Sequence, residues 1–218
     1  MLIDKDTKLY GSFSKSAGSL GCRIFNKCFD YYKINAIYKS FSVNNIYEAI
    51  QSAKCLGFSG FAVSMPFKNE IIKYLDDYDE IVAKTKSCNT VLINDSKLYG
   101  YNSDYLAIKT YLMTYHKDIT YIYILGNGGY SQTLQSYCND NFIDFQVITR
   151  YNWNTIENIR NATIFNCTPV SNIDIDSSNI YIDCINTTPT GEKLAIIQAS
   201  AQFKLYTHID FPNQLFSD

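Results

Sequence analysis

Apolar residues recur at helical spacing in several stretches of this chain, and short runs of β-branched and aromatic residues separate them. The clearest helix is residues 44–57, NNIYEAIQSAKCLG, where Ile46, Ala49, Ile50, Ala53 and Leu56 share one face. Asn44 or Asn45 supplies its cap and Gly57 its stop. Ahead of it, residues 8–10 read as a short strand running into the Gly/Ser-rich turn GSFSKSAGSLG. CRIFNKCFDYYKI then reads as a helix and NAIYKSF as a strand. Behind it, GFAVSM reads as a buried strand and FKNEIIKYLDDYDEIVAKT as helical. CNTVLIND followed by SKLYGYN has the length and turn residues of a hairpin. Strand, helix and strand in alternation predict an α/β layer with a mixed sheet.

In the second half, Ser103 or Asp104 caps a helix running to about Tyr115. ITYIYIL is a strand, followed by a glycine turn and a helix with a polar start. DFQVITR, ATIFNCTPV and NIYIDCIN are further strands. EKLAIIQASAQFKLYTHID reads as a helix with Leu194, Ile197, Ala201 and Leu205 along one side. This is the pattern of a small dinucleotide-binding fold.

A length of 218 residues fits one large domain or two small ones, and 46% hydrophobic residues is an ordinary globular share. A formal net charge of -2 argues against a general attraction to nucleic acid or anionic membrane. Seven cysteines with no C-x-x-C pair, and only His116 and His208, assemble no zinc constellation. Buried reduced thiols and no bound metal are the expectation. MLIDKDTKLY lacks a basic start followed by an apolar core, and no apolar run approaches a membrane span. The chain is therefore expected in the cytoplasm, off the membrane.

Two stretches carry candidate chemistry. In GFAVSMPFKNE a buried strand gives way to a proline turn and Lys68. This is either a solvated turn lysine or a catalytic lysine at the mouth of a pocket, and one lysine does not decide. Gly126-Asn127-Gly128-Gly129-Tyr130-Ser131 fits G-x-G-x-x-S. The first glycine permits a tight turn, and the second lets the backbone approach a pyrophosphate. The following helix offers free N–H groups and a positive dipole end. Alone the motif is as consistent with a structural glycine turn; its place between strand and helix favours a nucleotide. The next strand ends Ile148-Thr149-Arg150, with no acid before Glu157. A guanidinium there suits a 2′-phosphate, which favours NADP over NAD. A surface arginine without a ligand is the alternative.

Together the segments KDTKLYGSFSKSAGSLGCRIFN, YKSF, LGFSGFAVSMPFK, SCNTVLIND, YNSDYLAI, ILGNGGYS, ITR, NCTPV and QASAQFKLYT resemble the shikimate dehydrogenase family, in its order and over almost the whole length. The nearest likeness is to its shikimate dehydrogenase-like branch. The resemblance implies an N-terminal mixed-sheet α/β substrate domain over 1–103, with a C-terminal helix over 192–218 packing back on it. It implies a shortened Rossmann-type NADP-binding domain over 104–191. It implies NADPH-dependent reduction of 3-dehydroshikimate to shikimate, or chemistry on a related polyol acid such as quinate. Lys68 takes the place of the catalytic lysine and Asp104 of its carboxylate partner. Ser14, Ser16, Ser64, Asn89 and Gln198 take the places of substrate contacts. Gly126, Asn127, Gly128, Gly129, Thr149, Arg150 and Thr168 fall to the cofactor. A homodimer is left open.

The chain also departs from the family pattern. Ala17-Gly18 stands where a proline follows the S-x-S pair, in keeping with the dehydrogenase-like branch, and Ala62 replaces an asparagine. Only residues 151–161 separate ITR from ATIFN, and almost nothing separates DCINTTP from LAIIQA. Between DCINTTP and LAIIQA the resemblance leads one to expect a helix, then a glycine-rich turn against the nicotinamide. Their loss should expose a sheet face. A second reading of different class follows: a ligand-binding or regulatory protein that kept the fold and lost efficient turnover. A methylene-tetrahydrofolate or amino-acid dehydrogenase sharing the fold is a third, with no dependence on Ser14 and Ser16.

Overall fold

β1 (Lys8–Ser14) sends Leu9 and Phe13 to one face of its sheet and Tyr10 to the other, and this alternation organises the first half of the chain. The structure is a computed structural model and describes residues 3–216. One unit runs to Ser103 and resumes at Gln198; Asp104–Ile197 forms a second.

The first unit continues through α1 (Leu20–Tyr31), β2 (Ala36–Ser42), α2 (Ile46–Cys55), β3 (Phe58–Val63), β4 (Asp77–Tyr78), α3 (Glu80–Thr85), β5 (Thr90–Asn94) and β6 (Lys97–Tyr101). Its sheet has the order β2-β1-β3-β5-β6-β4. β1 is parallel to β2 and β3, while β5 is antiparallel to β3 and β6, so the sheet is mixed as expected. Phe13, Phe61 and Val63 pack with Ile46, Ile50 and Ala53 of α2 on one face. On the other face Tyr10 lies 4.8 Å from Tyr206 and 5.6 Å from Phe29, and Phe25 stacks on Tyr38 at 4.4 Å. The side chain of Asn45 caps α2 by accepting from the N–H groups of Tyr47 and Glu48.

Two expectations are corrected here. The first strand does not stop at Tyr10; it runs through GSFS to Ser14. Gly11 serves close strand approach rather than a turn, because a Cβ there would stand 2.6 Å from the carbonyl oxygen of Lys39. The stretch 67–85 is not one helix. It breaks into a 3₁₀ turn at Glu70–Tyr74, then β4, then α3. The N–H of Asp76 donates to Leu98 O at 3.0 Å and its carboxylate accepts from Leu98 N at 2.8 Å. Asp77 and Tyr78 pair with Tyr99 and Gly100, and Asp79 starts α3 by accepting from Val82 N at 2.8 Å. Aspartates that a helical pattern tolerates are better satisfied here at a sheet edge and a cap.

The second unit holds α4 (Ser103–Tyr115) from Asp104 onward, then β7 (Tyr121–Leu125), α5 (Gly129–Asp140), β8 (Asp144–Ile148), β9 (Thr163–Asn166), β10 (Ile180–Asp183) and the start of α6 (Pro189–Thr207). The expected C-terminal helix thus begins earlier than residue 192 and stops at Thr207. The sheet is wholly parallel, in the order β10-β9-β7-β8. Ile122, Ile124, Phe165 and Ile182 point into one core with Ile108 and Leu112 of α4, Leu134 of α5 and Leu194 of α6. Leu125, Ile148 and Ile164 point to the opposite face. Between β8 and β10 the described residues contain no α-helix. That face is nonetheless covered: Ile156 and Trp153 of a 3₁₀ turn at Trp153–Asn158, with Ile159, Ile173 and Ile175, pack over it. Short irregular chain, not an α-helix, covers the sheet on that side. Among the described residues no helix is long and apolar enough to cross a membrane.

Candidate functional site

In the first unit, parallel pairing brings the carboxyl ends of β1 and β3 together. Ser64 N donates to Phe13 O at 2.9 Å and Lys15 N to Met65 O at 3.1 Å. Ser14 is buried at the end of β1; Ser16 and Ser64 are exposed. Antiparallel β5 begins at the same edge, where Val63 N donates to Asn89 O at 2.8 Å and Asn89 N to Tyr101 O at 3.1 Å. The sheet register therefore gathers Ser14, Ser64, Asn89 and Ser103 at one edge.

Lys68 sits at this edge on a pinned backbone. Phe67, just before it, is buried, and its N–H donates to Ser64 O at 2.9 Å. The carbonyl of Lys68 accepts from Cys88 N at 2.8 Å, and Asn69 Nδ2 donates to Lys86 O at 2.6 Å. The Met65–Pro66 bond is cis. Lys68 itself is half-buried, unlike an ordinary solvated turn lysine.

Asn89 is the centre of a buried polar network. Its Oδ1 accepts from Ser103 N at 2.8 Å, from Ser103 Oγ at 3.0 Å and from Thr90 Oγ1 at 2.9 Å. A backbone N–H can only donate, so the amide orientation is fixed and Nδ2 must face away from Ser103. That Nδ2 is buried and has no partner. A lone buried donor costs about 1–3 kcal/mol, which a ligand oxygen accepting from it would recover. Gln198 joins the network, its Nε2 donating to Ser103 Oγ at 3.3 Å.

Sequence reasoning missed Thr90, Ser103 and Gln202. Gln202 Nε2 donates to Thr90 Oγ1 at 2.7 Å and to Asn89 O at 3.2 Å. One signal was available: Gln202 follows Gln198 by four residues on α6, and so shares its face. Replacing Gln202 by leucine keeps the volume, removes the donor to the buried Thr90 Oγ1 and takes one of two donors from Asn89 O. The expected loss is about 1–3 kcal/mol of stability in chemical unfolding. An unchanged midpoint would remove Gln202 from the network.

In the second unit, the strand order reverses at β7, which lies between β8 and β9. Ligands of open α/β sheets bind outside the carboxyl ends of strands at such a point. Gly126 follows β7 with φ +95, a conformation open to glycine, and a Cβ there would stand 2.7 Å from Thr168 Cγ2. Ser131, fully buried in the first turn of α5, closes the turn by donating to Gly126 O at 2.8 Å. A Cβ on Gly128 would meet nothing within 4 Å, so space is open at the start of this 12-residue helix. Asn127 is exposed and accepts from Gln135 Nε2 at 3.2 Å; Gly129 opens the helix. At the end of β8, Thr149 N donates to Asn152 Oδ1 at 2.8 Å. Arg150 is exposed, its guanidinium 5.3 Å from the centre of the Tyr151 ring. Thr168 Oγ1 donates to Asn166 Oδ1 at 2.7 Å. The turn, helix start and guanidinium fit the phosphates of a dinucleotide. Asp104 is buried in the first turn of α4.

Comparison with known proteins agrees with this arrangement. Residues 15–91 match the shikimate dehydrogenase substrate binding domain family. A shikimate dehydrogenase-like protein of Haemophilus influenzae is 27% identical over 95% of this chain and 93% of its own length. A shikimate dehydrogenase (NADP(+)) of Clostridium perfringens is 31% identical over 84% of this chain and 69% of its own. Among solved structures, a shikimate 5-dehydrogenase-like protein aligns with a TM-score of 0.80 at 26% identity, covering 98% of this chain and 96% of that one. The Aquifex aeolicus shikimate dehydrogenase shares the fold, with a TM-score of 0.82 at 23% identity and coverage of 98% and 97%. On these similarities, and on the two sheet edges just described, the chain belongs to the shikimate dehydrogenase family, in its shikimate dehydrogenase-like branch.

Proposed function

We propose that this chain is an NADP-dependent oxidoreductase that interconverts 3-dehydroshikimate and shikimate, or acts on a related polyol acid such as quinate. The observation that carries the reading is the edge of the first sheet. There Ser14, Ser64, Lys68 and Asn89 collect beside a buried amide donor awaiting an acceptor. A hydroxylated ring acid needs several short polar groups on rigid elements, and this edge supplies them. We assign Ser14 and Ser16 to the substrate carboxylate, and Ser64, Asn89 and Gln198 to its hydroxyls.

The hydride for the carbonyl carbon would come from NADPH when that cofactor is bound. Lys68 delivers the proton to the oxygen on that carbon and steadies its developing charge. Asp104 is assigned as the carboxylate partner of that lysine. In the reverse direction Lys68 takes the proton back. Gly126, Asn127, Gly128, Gly129, Thr149 and Thr168 would hold the cofactor, with Arg150 at its 2′-phosphate. The naming of the Clostridium perfringens relative as an NADP(+) enzyme supports that choice.

The deciding experiment follows NADPH absorbance with purified protein, NADP⁺ and shikimate, in parallel with quinate and with NAD⁺. Turnover with NADP⁺ is the expected result. Shikimate binding by calorimetry without turnover would replace this reading with a ligand-binding protein of the same fold. Arg150→Ala should weaken NADPH binding by about tenfold or more, as expected for loss of a charge-assisted pair, and NADH binding much less. Equal small effects on both would take Arg150 out of the site.

A further inference from the structure

Two thiols that the proposed reaction does not use lie side by side at the cofactor end of the second sheet. β9 and β10 are parallel, and their last registered pair is Asn166 with Asp183. The next residues are Cys167 and Cys184. The strand ends are held together at this level: Cys184 N donates to Asn166 O at 3.0 Å, and Asn166 Nδ2 donates to Asp183 Oδ1 at 3.2 Å. Parallel strands run about 4.8 Å apart, within the roughly 4.4–6.8 Å Cα separation that a disulfide spans. Both side chains share a face, since both pack against the core that contains Phe165 and Ile182. Both are reduced and half-buried, whereas Cys28, Cys88 and Cys138 are buried.

A third group marks the same place. The Tyr130 ring lies 6.3 Å from Phe165. Burial raises its hydroxyl well above the usual range, and Cys184, Asp104 and Cys167 add to the shift. The thiols also adjoin the glycine turn. Cys167 N donates to Leu125 O at 3.0 Å, and Cys167 O lies 3.6 Å from where a Cβ on Gly126 would stand.

We infer that Cys167 and Cys184 form a redox-active dithiol, a site of reversible disulfide formation that controls access of the dinucleotide to the Gly126 turn. The oxidant is a low-molecular-weight disulfide. One cysteine thiolate attacks a sulfur of that disulfide, forms a mixed disulfide and releases one small thiol. The second thiolate attacks the protein sulfur of the mixed disulfide, closes the Cys167–Cys184 bond and releases the second small thiol. The protein loses two thiol protons and two electrons, and the small disulfide gains them as two thiols. Drawing the sulfurs together shifts the end of β9, and with it Thr168 against Gly126. The coupling to nucleotide rests on the function proposed above; the disulfide itself does not.

The test incubates the reduced full chain with oxidised glutathione, blocks the remaining thiols and maps disulfides by peptide mass spectrometry. The expected product is an intramolecular Cys167–Cys184 bond that dithiothreitol reverses. NADP⁺ affinity by calorimetry should fall on oxidation by about tenfold, within the usual range of coupling between sites, and recover on reduction. Affinity of Cys184→Ser and of Cys167→Ser should not respond to the oxidant. Separate glutathione adducts on the two cysteines, or a disulfide formed only elsewhere, would overturn the pair. A Cys167–Cys184 bond that leaves NADP⁺ affinity unchanged would overturn its control of the turn. If the reduced protein fails to bind NADP⁺, the function proposed above falls, while the disulfide map still decides the thiol pair.

Discussion

Replacing Lys68 by alanine is expected to lower kcat by about two to four orders of magnitude, the scale of a lost general acid–base group, and to change shikimate affinity far less. That is about 3–5.5 kcal/mol of transition-state stabilisation. The size of the effect follows from placement. The backbone of Lys68 is held through Cys88 N, and its neighbours through Ser64 O and Lys86 O, so no other lysine of this turn can take over the proton. Lys68→Arg should not rescue turnover, because a guanidinium keeps its proton at any working pH. Asp104→Asn is expected to act through the lysine, so the double mutant should lose less than the sum of the two single losses. A Lys68→Ala enzyme with near-normal kcat would sink the proton-handling role, and strict additivity would separate Asp104 from it.

Phe61→Ala carries the largest expected cost to stability, about 3–5 kcal/mol, typical of deleting a buried aromatic side chain. Phe61 is fully buried at the middle of β3, and its ring centre lies 4.9 Å from that of Phe13 on β1. It packs in one cluster with Ile50 of α2 and with Phe67, the residue that anchors the lysine turn. The loss is a large part of the roughly 5–15 kcal/mol that holds a typical domain together. Urea unfolding measures it directly, and Phe61→Leu, closer in volume, should cost less than about half as much. A loss under about 1 kcal/mol for the alanine variant would mean that the site collapses around the gap, against the packing described here.

Much of the fold was legible before any coordinates. Ile46, Ala49, Ile50 and Ala53 repeat at helical spacing because one helix face must meet a sheet, and α2 buries those four residues. The hairpin of β5 and β6 turns at Asp95 and Ser96, both with positive φ, as the turn residues suggested. The glycine run after β7 announced its turn because φ +95 at Gly126 suits glycine. The stretch 67–85 misled because its apolar spacing suits a helix locally. Asp76 and Asp77 find better partners only once β6 lies beside them, and Asp79 caps α3 instead of continuing a longer helix.

The candidate site divides along the same line. Lys68, Ser14, Asn89, Gly126 and Arg150 stood out because each sits in a short local motif, and the order of those motifs pointed to the family. The hydrogen bonds around Asn89 could not be read from those motifs, although the residues that make them lie within the motifs. Thr90, Ser103 and Gln202 come from three elements, and the bond from Gln202 to Thr90 joins residues 112 apart. The neighbourhood of Cys167 and Cys184 likewise depends on the pairing of β9 with β10. Residue spacing by itself determined most of the local elements and the two turns, because periodicity and backbone sterics act within a few residues, while the quoted motifs and their order carried the resemblance to the family. Only the tertiary structure decided which amide is held in one orientation, which donor is left for a ligand and which two cysteines follow the paired ends of neighbouring strands. Those are properties of hydrogen bonds and strand registers that close between distant parts of the chain.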